Sequence, residues 1–413
     1  MPLIKPFRGL RPLNRSAGDV AAPPYDVLNS VEARTRAAGK PWSFLHISKP
    51  EIDLPADTDV YAPKVYAKGA ENLNRMIAEG VLKRDAQPCY YAYRLIMGNH
   101  TQTGLVAAAS VAAYDEGRIR RHEFTRPDKE DDRVRQIEAL NAQTGPVLLA
   151  HPDSAEVDQL LAAVCNVTPA ADVLADTGVR HTVWVIDDAA TVARLSACFE
   201  SMPALYIADG HHRSAAASRV AAARRANGSG GDSASANADY FLAVSFPAGE
   251  MQILCYNRVV RDLGGLARDA FLHRIEENFS LAAAPAAVEP ATHGELGMYL
   301  TGQWYRLRIK PAKIPADPVG RLDVSLLSDQ LLAPILGITD LRTDKRIDFV
   351  GGIRGTSELE KRVNSGEMTV AFSMHATSMA DLMAVTDAKQ VMPPKSTWFE
   401  PKLADGLVSH VLD

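Results

Sequence analysis

The sequence contains few cysteines and no long apolar run. Its four cysteines, Cys89, Cys165, Cys198 and Cys255, are far apart and form no Cys-x-x-Cys pair. This spacing argues against a cysteine-based zinc site or a disulfide framework, and it favours buried thiols in a reducing compartment. No stretch reaches the roughly 18 to 20 apolar residues of a membrane span, and the first residues show no apolar signal core. We therefore expect a soluble, cytoplasmic protein without a membrane partner.

The chain also lacks an excess of positive charge. Its formal net charge is −5 and its pI is near 6.1, whereas proteins that bind nucleic acid usually show a basic excess. A nucleic-acid partner is therefore not expected. The sequence contains no Gly-x-x-x-x-Gly-Lys-Ser/Thr motif, and this absence excludes a P-loop kinase.

The composition indicates a large core, because 46% of the 413 residues are hydrophobic and 23% are charged. Helical spacing of apolar residues predicts helices over residues 64–79 and 131–142. Apolar runs predict strands over residues 43–47, 89–97 and 104–114. Strand pairs mixed with helices indicate an α+β fold with a mixed sheet rather than a regular βαβ array.

One stretch of low complexity, rich in serine and glycine, covers residues 227–239. Such a composition is typical of an exposed, flexible loop. It divides the chain into a predicted N-terminal α+β region, residues 1–226, and a predicted C-terminal α/β region, residues 240–413.

The most informative segment is Ala-Asp-Gly-His-His-Arg at residues 208–213. The apolar residues 204–207 before it predict a short strand, and the alanine-rich residues 214–223 after it predict a helix. Gly210 permits a tight turn and lets a ligand approach the backbone. The unpaired N–H groups and the dipole at the start of a helix favour an anion. The segment therefore predicts a phosphate site.

The side chains of this segment support that prediction. His211, His212 and Arg213 offer hydrogen-bond donors suited to phosphate, and Asp209 can hold a metal ion, contact a ribose or accept a proton. The alternative is a common strand–turn–helix junction, in which a histidine only caps or packs. Because four solvated polar groups together stabilise no core, we expect a binding site here.

A second polar block, residues 121–133, is dense in ionisable residues and leads into the predicted helix. The alternative interpretation is a solvated, charged helix start, which accounts for acidic residues in the first turn. Phosphoryl transfer needs cations, metal-binding carboxylates and a base. Glu123 is the predicted general base, with Asp209 as its rival. Lys129 and Arg133 are predicted to neutralise phosphate charge, and Thr125 to bind substrate.

Two proline-containing loops add further candidates. The rigid segment Pro-Pro-Tyr-Asp at residues 23–26 can position Tyr25 and Asp26 at a substrate, where Asp26 coordinates magnesium or holds an amine. The alternative is a turn that packs Tyr25 into the core. Lys395, in the loop at residues 393–397, is a predicted phosphate contact. The alternative there is a tail that docks across the sheet.

Four separated motifs occur in the order AAPPYDV, HEFTRPDKEDDR, ADGHHR and MPPKSTWFEPKLADGL. Together they resemble the bacterial and archaeal family called domain of unknown function 1015, often labelled SpoOJ/ParA/ParB/RepB family protein. The resemblance covers roughly residues 2 to 410. The Gly-His-His-Arg element also resembles the phosphate-binding turn of the ParB/sulfiredoxin superfamily. This second resemblance implies a ParB/sulfiredoxin-like core that is elaborated by additional strands and helices.

That superfamily includes nucleotide-dependent partition proteins, sulfiredoxin and kinases of free L-serine. A sulfiredoxin site needs a cysteine in the glycine turn, where this chain has His211 and His212, and no helix-turn-helix module follows the turn. The resemblance therefore implies a kinase that uses ATP or ADP with Mg²⁺ and converts L-serine to O-phosphoserine, in keeping with links of relatives to serine biosynthesis. The alternative is a ParB-like nucleotide-binding regulatory protein without turnover.

Overall fold

In the computed structural model of the protein, which describes residues 1–227 and 237–413, the chain forms two compact units. The first unit comprises Met1–Met251 and Pro401–Asp413, and the second comprises Gln252–Glu400. The sequence predicts the division at residues 227–239. The structure divides the chain later, because strand Tyr240–Pro247 is paired on both sides within the first unit. Residues 228–236 of the expected loop lie outside the described residues.

A nine-stranded mixed sheet forms the centre of the first unit, in agreement with the predicted α+β class. Its strands Tyr90–Met97 and His100–Ser110 form an antiparallel hairpin, whose turn contains Gly98 with φ 58°. Parallel pairing joins Val147–His151 to Tyr240–Pro247. Strand Ile4–Lys5 pairs with His100–Ser110 off the main path. The strands on the main path, from one edge of the sheet to the other, are Ile119–Arg120, Leu205–Asp209, Val147–His151, Tyr240–Pro247, His100–Ser110, Tyr90–Met97, Arg180–Ile186 and Ala171–Leu174.

Helix boundaries in the first unit follow local signals. Pro63 opens a helix whose face carrying Val65, Leu73 and Met76 is buried. The Asp188 carboxylate caps another helix by accepting a hydrogen bond of 2.8 Å from the Thr191 N–H. The α-helices are Ala17–Val20, Ser30–Ala37, Leu45–Ser48, Pro63–Ala78, Val111–Asp115, Pro127–Leu140, Ala155–Val164, Ala189–Ser201 and His211–Ala226, with 3₁₀ turns at Asn14–Ser16, Tyr25–Val27, Pro50–Asp53 and Ala248–Glu250.

The core of the first unit lies between the main sheet and its helices. Val157, Phe199 and Ala217, from three of these helices, belong to one buried cluster with strand residues such as Leu105 and Ile207. A separate buried cluster joins helix Pro127–Leu140 to helix His211–Ala226. The two helices that carry the predicted phosphate-site residues are therefore packed against each other.

The last residues of the chain also belong to the first unit. Strand Ser409–Val411 takes part in a four-stranded sheet with strands from much earlier in the sequence. Ala22 and Asp405 exchange backbone hydrogen bonds of 3.1 and 2.9 Å. This pairing brings the C-terminal segment next to the Pro-Pro-Tyr-Asp segment. The strands of the small sheet, in order, are Leu82–Arg84, Gly9–Pro12, Ser409–Val411 and Ala142–Gln143.

The second unit is built on an antiparallel sheet of six strands. Its buried cluster includes Val259, Tyr299, Trp304, Leu359 and Met368. The strands, in order, are Phe279–Ala284, Gln303–Ile309, Glu295–Leu300, Val370–Met374, Tyr256–Val260 and Ile347–Gly351, and Gln252–Leu254 pairs separately with Trp398–Glu400. The helices are Arg268–Ile275, Asp323–Leu327, Ala333–Leu336, Gly355–Asn364 and Met379–Asp387, with a π-helical turn at Ser328–Leu332 and 3₁₀ turns at Pro311–Lys313 and Gly352–Arg354.

Two strand predictions were wrong in part. Residues 43–47 contain the start of helix Leu45–Ser48, because a short buried apolar run does not by itself distinguish a strand from a helical turn. The strand expected over 104–114 ends at Ser110, whose hydroxyl accepts a hydrogen bond of 3.2 Å from the Ala113 N–H and caps a short helix. Within the described residues, no helix combines the length and apolar character needed to cross a membrane.

Candidate active site

The backbone at residues 205–226 has the predicted strand–turn–helix form. Strand Leu205–Asp209 ends at Gly210, whose φ is 96°, and helix His211–Ala226 follows directly. A side chain is strained at this φ, and a Cβ on Gly210 would also lie 3.1 Å from the guanidinium carbon of Arg213. The Gly210 carbonyl accepts a hydrogen bond of 2.9 Å from the Arg213 N–H. Glycine is therefore required here by both the turn and the close approach of Arg213.

The side chains of this turn are more buried than the sequence analysis expected. His211 is 5% exposed, and the Arg213 side chain is 10% exposed. The expectation of four solvated polar groups was therefore wrong. Burial makes each polar group depend on its partners, since an unpaired buried charge is costly.

Arg213 connects two of the predicted site carboxylates. Its Nη2 lies 3.6 Å from Asp209 Oδ2 and 3.9 Å from Asp26 Oδ2. Its Nη1 donates a hydrogen bond to the Pro146 carbonyl. These carboxylates raise the pKa of Arg213 despite its burial. The structure thus brings the Pro-Pro-Tyr-Asp segment and the glycine turn together around one guanidinium group.

Asp209 is held in its ionised form. Its Oδ2 accepts a hydrogen bond of 3.3 Å from Lys402 Nζ, and its Oδ1 accepts one of 2.9 Å from the Gly210 N–H. Burial favours a higher pKa, but Lys402 and Arg213 outweigh it and hold the pKa of Asp209 well below its usual range. Such a carboxylate is a weak proton acceptor, which suits a cation contact better than general-base chemistry.

Tyr25, Arg133 and Asp132 form a stack beside this cluster. The guanidinium carbon of Arg133 lies 3.8 Å from the centroid of the Tyr25 ring. Arg133 donates hydrogen bonds of 3.0 and 2.6 Å to Asp132 Oδ2, and Tyr66 donates one of 2.8 Å to Asp132 Oδ1. Desolvation raises the pKa of Tyr25 to about 12, against the opposing charge of Arg133. Contacts with Asp132 and Tyr25 therefore hold the Arg133 guanidinium in one position.

Asp405 is a candidate that the sequence analysis did not assign. It is 2% exposed, and no hydrogen bond within residues 1–227 and 237–413 reaches its Oδ1. Burial raises the pKa of Asp405 to about 7, although Arg213 acts in the opposite direction. The only signal in the sequence is an acidic residue within the apolar end of the MPPKSTWFEPKLADGL motif.

This burial predicts a pH-dependent stability for the Asp405→Asn variant. Because the folded protein binds the Asp405 proton more tightly than the unfolded chain, the folded state loses stability as pH rises from about 4 to about 7. Asparagine removes this loss. We expect the stability of Asp405→Asn relative to the native chain to increase across that interval and then level off, in urea titrations at each pH. The exposed Asp57→Asn is the control, and parallel curves for native chain and Asp405→Asn would contradict the prediction.

His122, Glu123 and His211 form a cluster of possible metal ligands. Their ligand atoms all lie within 4.8 Å of one another, and the two imidazole rings meet edge to face with centroids 4.5 Å apart. Burial lowers the pKa of His122 to about 4 and the pKa of His211 well below its usual value. Both rings are therefore neutral at pH 7. His211 can donate one hydrogen bond to a phosphate but does not attract it as a cation.

The remaining predicted residues have other partners. His212 Nε2 accepts a hydrogen bond of 3.0 Å from the Arg126 N–H, and the Thr125 hydroxyl donates to Glu130. Lys129 Nζ donates a hydrogen bond of 2.8 Å to the Tyr61 hydroxyl, so the structure pairs it outside the Arg213 cluster.

Lys395 lies in the second unit. Its carbonyl accepts a hydrogen bond of 2.9 Å from Arg258 Nη2, and its Nζ lies 5.5 Å from the centroid of the Tyr256 ring. These contacts fix the loop within that unit. The phosphate contact expected for Lys395 stays a prediction.

A family model described as "Protein of unknown function (DUF1015)" matches residues 4–325. The chain belongs to the DUF1015 family. Within this DUF1015 protein the matched range includes Tyr25, Asp26, Glu123 and the whole glycine turn, whereas Lys402 and Asp405 lie beyond it. No curated protein matches the sequence.

Solved structures similar to this DUF1015 protein include the following three. A conserved hypothetical protein from Pyrococcus furiosus has 12% identity and a TM-score of 0.35, over 73% of this chain and 95% of that one. A free serine kinase in complex with AMP has 12% identity and a TM-score of 0.35, over 73% of this chain and 92% of that one. SbnI with a C-terminal truncation from Staphylococcus aureus has 10% identity and a TM-score of 0.38, over 73% of this chain and 85% of that one.

Proposed function

We propose that the first unit binds the phosphates of ATP or ADP together with Mg²⁺ and transfers one phosphoryl group to the hydroxyl of L-serine. The observation that supports this proposal most is the convergence of Asp26, Asp209 and Arg213 at the first turn of helix His211–Ala226. Phosphoryl transfer consists mainly of positioning and charge stabilisation. A cluster of positive and negative side chains at a helix start can supply the positioning and the charge stabilisation.

The phosphate contacts are assigned to the helix start and the cations beside it. A helix of 16 residues, His211–Ala226, directs its first N–H groups and the positive end of its dipole toward the turn. Arg213 adds a planar donor group, which the absence of a side chain at Gly210 allows to lie close to the turn. His212 and Arg133 are the further proposed phosphate contacts.

The carboxylates carry oxygen atoms of the kind that a hard divalent cation prefers. Asp209 Oδ2 and Asp26 Oδ2 face the same nitrogen of Arg213, at 3.6 and 3.9 Å, and Asp209 is ionised at any ordinary pH. Magnesium prefers such oxygen ligands together with substrate phosphates. Asp209 and Asp26 are therefore the residues that would hold Mg²⁺. When bound, Mg²⁺ would neutralise charge that develops on the transferred group.

Glu123 is the proposed general base. It is exposed and lies beside the two neutral rings of His122 and His211, whereas the depressed pKa of Asp209 makes that carboxylate a poor base. In the proposed step the Glu123 carboxylate takes the proton of the serine hydroxyl. The serine oxygen bonds to phosphorus as the bond to the departing nucleotide oxygen breaks, giving O-phosphoserine and ADP from ATP, or AMP from ADP. Tyr25, Asp26 and Thr125 are the proposed substrate contacts.

Nucleotide-dependent stabilisation tests the binding part of this proposal. A nucleotide at 100 times its dissociation constant should add about 2.7 kcal/mol to the free energy of unfolding, with Mg²⁺ required for the full effect. Asp209→Asn should weaken the Mg²⁺-dependent part of this stabilisation, because the proposed contact of Asp209 with Mg²⁺ is made when the nucleotide binds, before any phosphoryl transfer. The exposed Asp57→Asn should behave as the native chain. Equal stabilisation of Asp209→Asn and the native chain by Mg²⁺-nucleotide would remove Asp209 from the site.

Binding without chemistry is the outcome that supports the alternative function. A nucleotide that stabilises the protein but yields no O-phosphoserine from L-serine would indicate a nucleotide-binding regulatory protein without turnover. Release of O-phosphoserine would exclude that alternative.

A further inference from the structure

Three side chains of the second unit converge although they are far apart in sequence. His293 precedes strand Glu295–Leu300, Asp323 is the first residue of helix Asp323–Leu327, and His375 directly follows strand Val370–Met374. Their possible ligand atoms all lie within 4.8 Å of one another. The proposed function of the first unit uses none of these residues.

The spacing of these atoms fits a metal ion. Asp323 Oδ2 lies 3.4 Å from His293 Nδ1 and 3.8 Å from His375 Nδ1. In a tetrahedral site with bonds of about 2.1 Å, neighbouring ligand atoms are about 3.4 Å apart. The two distances from Asp323 Oδ2 are therefore within about 0.4 Å of that value, and the two imidazoles lie within 4.8 Å of each other by their ligand atoms.

Two of the three ligand atoms are buried without a hydrogen bond. The Asp323 side chain is 4% exposed, and its Oδ1 accepts a hydrogen bond of 2.7 Å from the Gly294 N–H. Within the described part of the chain, no hydrogen bond reaches Asp323 Oδ2 or His375 Nδ1. Buried polar atoms are nearly always satisfied, so each such exception needs an explanation. A shared cation satisfies both atoms.

Asp381 positions one of the two imidazoles. Its Oδ2 lies 3.2 Å from His293 Nε2 and accepts hydrogen bonds of 3.1 and 2.6 Å from the Ser378 N–H and hydroxyl. A proton on Nε2 that points to Asp381 leaves the lone pair of Nδ1 directed at Asp323. A carboxylate behind a ligating histidine is the usual outer shell of such a site.

We propose that His293, Asp323 and His375 bind a divalent transition-metal ion such as Zn²⁺, with Asp381 as a positioning residue. Two imidazoles and one carboxylate are typical ligands of Zn²⁺ and related ions, whereas Mg²⁺ and Ca²⁺ prefer oxygen ligands. The His293 side chain is 50% exposed, so the remaining coordination position is open to water. The ion would join a loop, a strand end and a helix start of the second unit. This proposal is independent of the function proposed for the first unit.

Equilibrium dialysis of the full chain against Zn²⁺, with metal analysis of the dialysed protein, tests the proposal. Asp323→Asn, His293→Ala and His375→Ala should each weaken one equivalent of binding by more than about 100-fold, because substitutions behind a ligand already cost 10- to 100-fold. Asp381→Asn should fall within that smaller range. His273→Ala, an exposed histidine on helix Arg268–Ile275 of the same unit, is the matched control and should bind Zn²⁺ as the native chain does.

The alternative to a metal site is a protonated His293 that bridges Asp323 and Asp381. In that case the native chain and the variants His293→Ala and His375→Ala would bind equal amounts of Zn²⁺, which would overturn the proposal. His293→Ala removes a half-exposed side chain, so it keeps the test valid if Asp323→Asn does not fold.

Visible absorption of bound Co²⁺, measured on the same variants, separates this site from the His122, Glu123 and His211 cluster. The absorption should change with His293→Ala and not with His273→Ala. No change with His293→Ala would also overturn the proposal.

Discussion

Glu123→Gln should lower turnover by roughly 10²- to 10⁴-fold, the usual contribution of a positioned acid or base. Glutamine keeps the size and polarity of the side chain but cannot take a proton from the serine hydroxyl. Nucleotide affinity should stay nearly unchanged, because Glu123 is not among the proposed phosphate contacts. Steady-state rates and nucleotide-dependent thermal shifts on the same preparation measure the two effects separately.

Glu116→Gln is the matched control for this experiment, since Glu116 is an exposed glutamate of the same unit. It should change neither rate nor affinity. A fully active Glu123→Gln together with an Asp209→Asn variant that loses only the rate would mean that the roles are exchanged. Asp209 would then be the base, in spite of the cations that lower its pKa.

Arg213→Ala should destabilise the protein by about 1.5–3 kcal/mol, the usual contribution of hydrogen bonds made by a charged group, because Arg213 is buried while its partners Asp209 and Asp26 are 30% and 40% exposed. The Arg213 side chain is 10% exposed. Its loss leaves the charge of Asp209 balanced by Lys402 alone and removes a cation that opposes the proton affinity of Asp405. Urea titrations of the free energy of unfolding measure the effect.

Arg194→Ala provides the comparison, because Arg194 pairs with Glu156 where both side chains are more than half exposed. Its effect should be about 0–1 kcal/mol. Arg213→Lys should recover part of the lost stability but not the planar donor geometry. If Arg213→Ala keeps the stability of the native chain and loses only nucleotide affinity, the guanidinium does not stabilise the ligand-free fold.

The glycine turn could be predicted from sequence because its signals are local. An apolar run, Gly210 and an alanine-rich segment determine a strand, a tight turn and a helix within about twenty residues. The amphipathic helix at Pro63–Ala78 was predicted for the same reason, since its buried face repeats at helical spacing. The burial of Arg213 was not predicted, because it depends on Asp26 and the Pro146 carbonyl, which come from other parts of the chain.

Contacts between distant segments account for the residues that the sequence analysis missed. Lys402 and Asp405 reach the glycine turn because the C-terminal strand Ser409–Val411 pairs with Gly9–Pro12. No local pattern encodes that pairing. The division between the units was misplaced for a related reason, because the serine- and glycine-rich stretch precedes a central strand of the first unit rather than a boundary.

Conversion of L-serine by the full chain tests the central claim most directly. With Mg²⁺ and either ATP or ADP, phosphorus NMR should show O-phosphoserine accumulating in equal amounts with the nucleotide product, and Glu123→Gln should suppress both signals together. The account is contradicted if the native chain binds and is stabilised by these nucleotides, yet no O-phosphoserine forms with either donor.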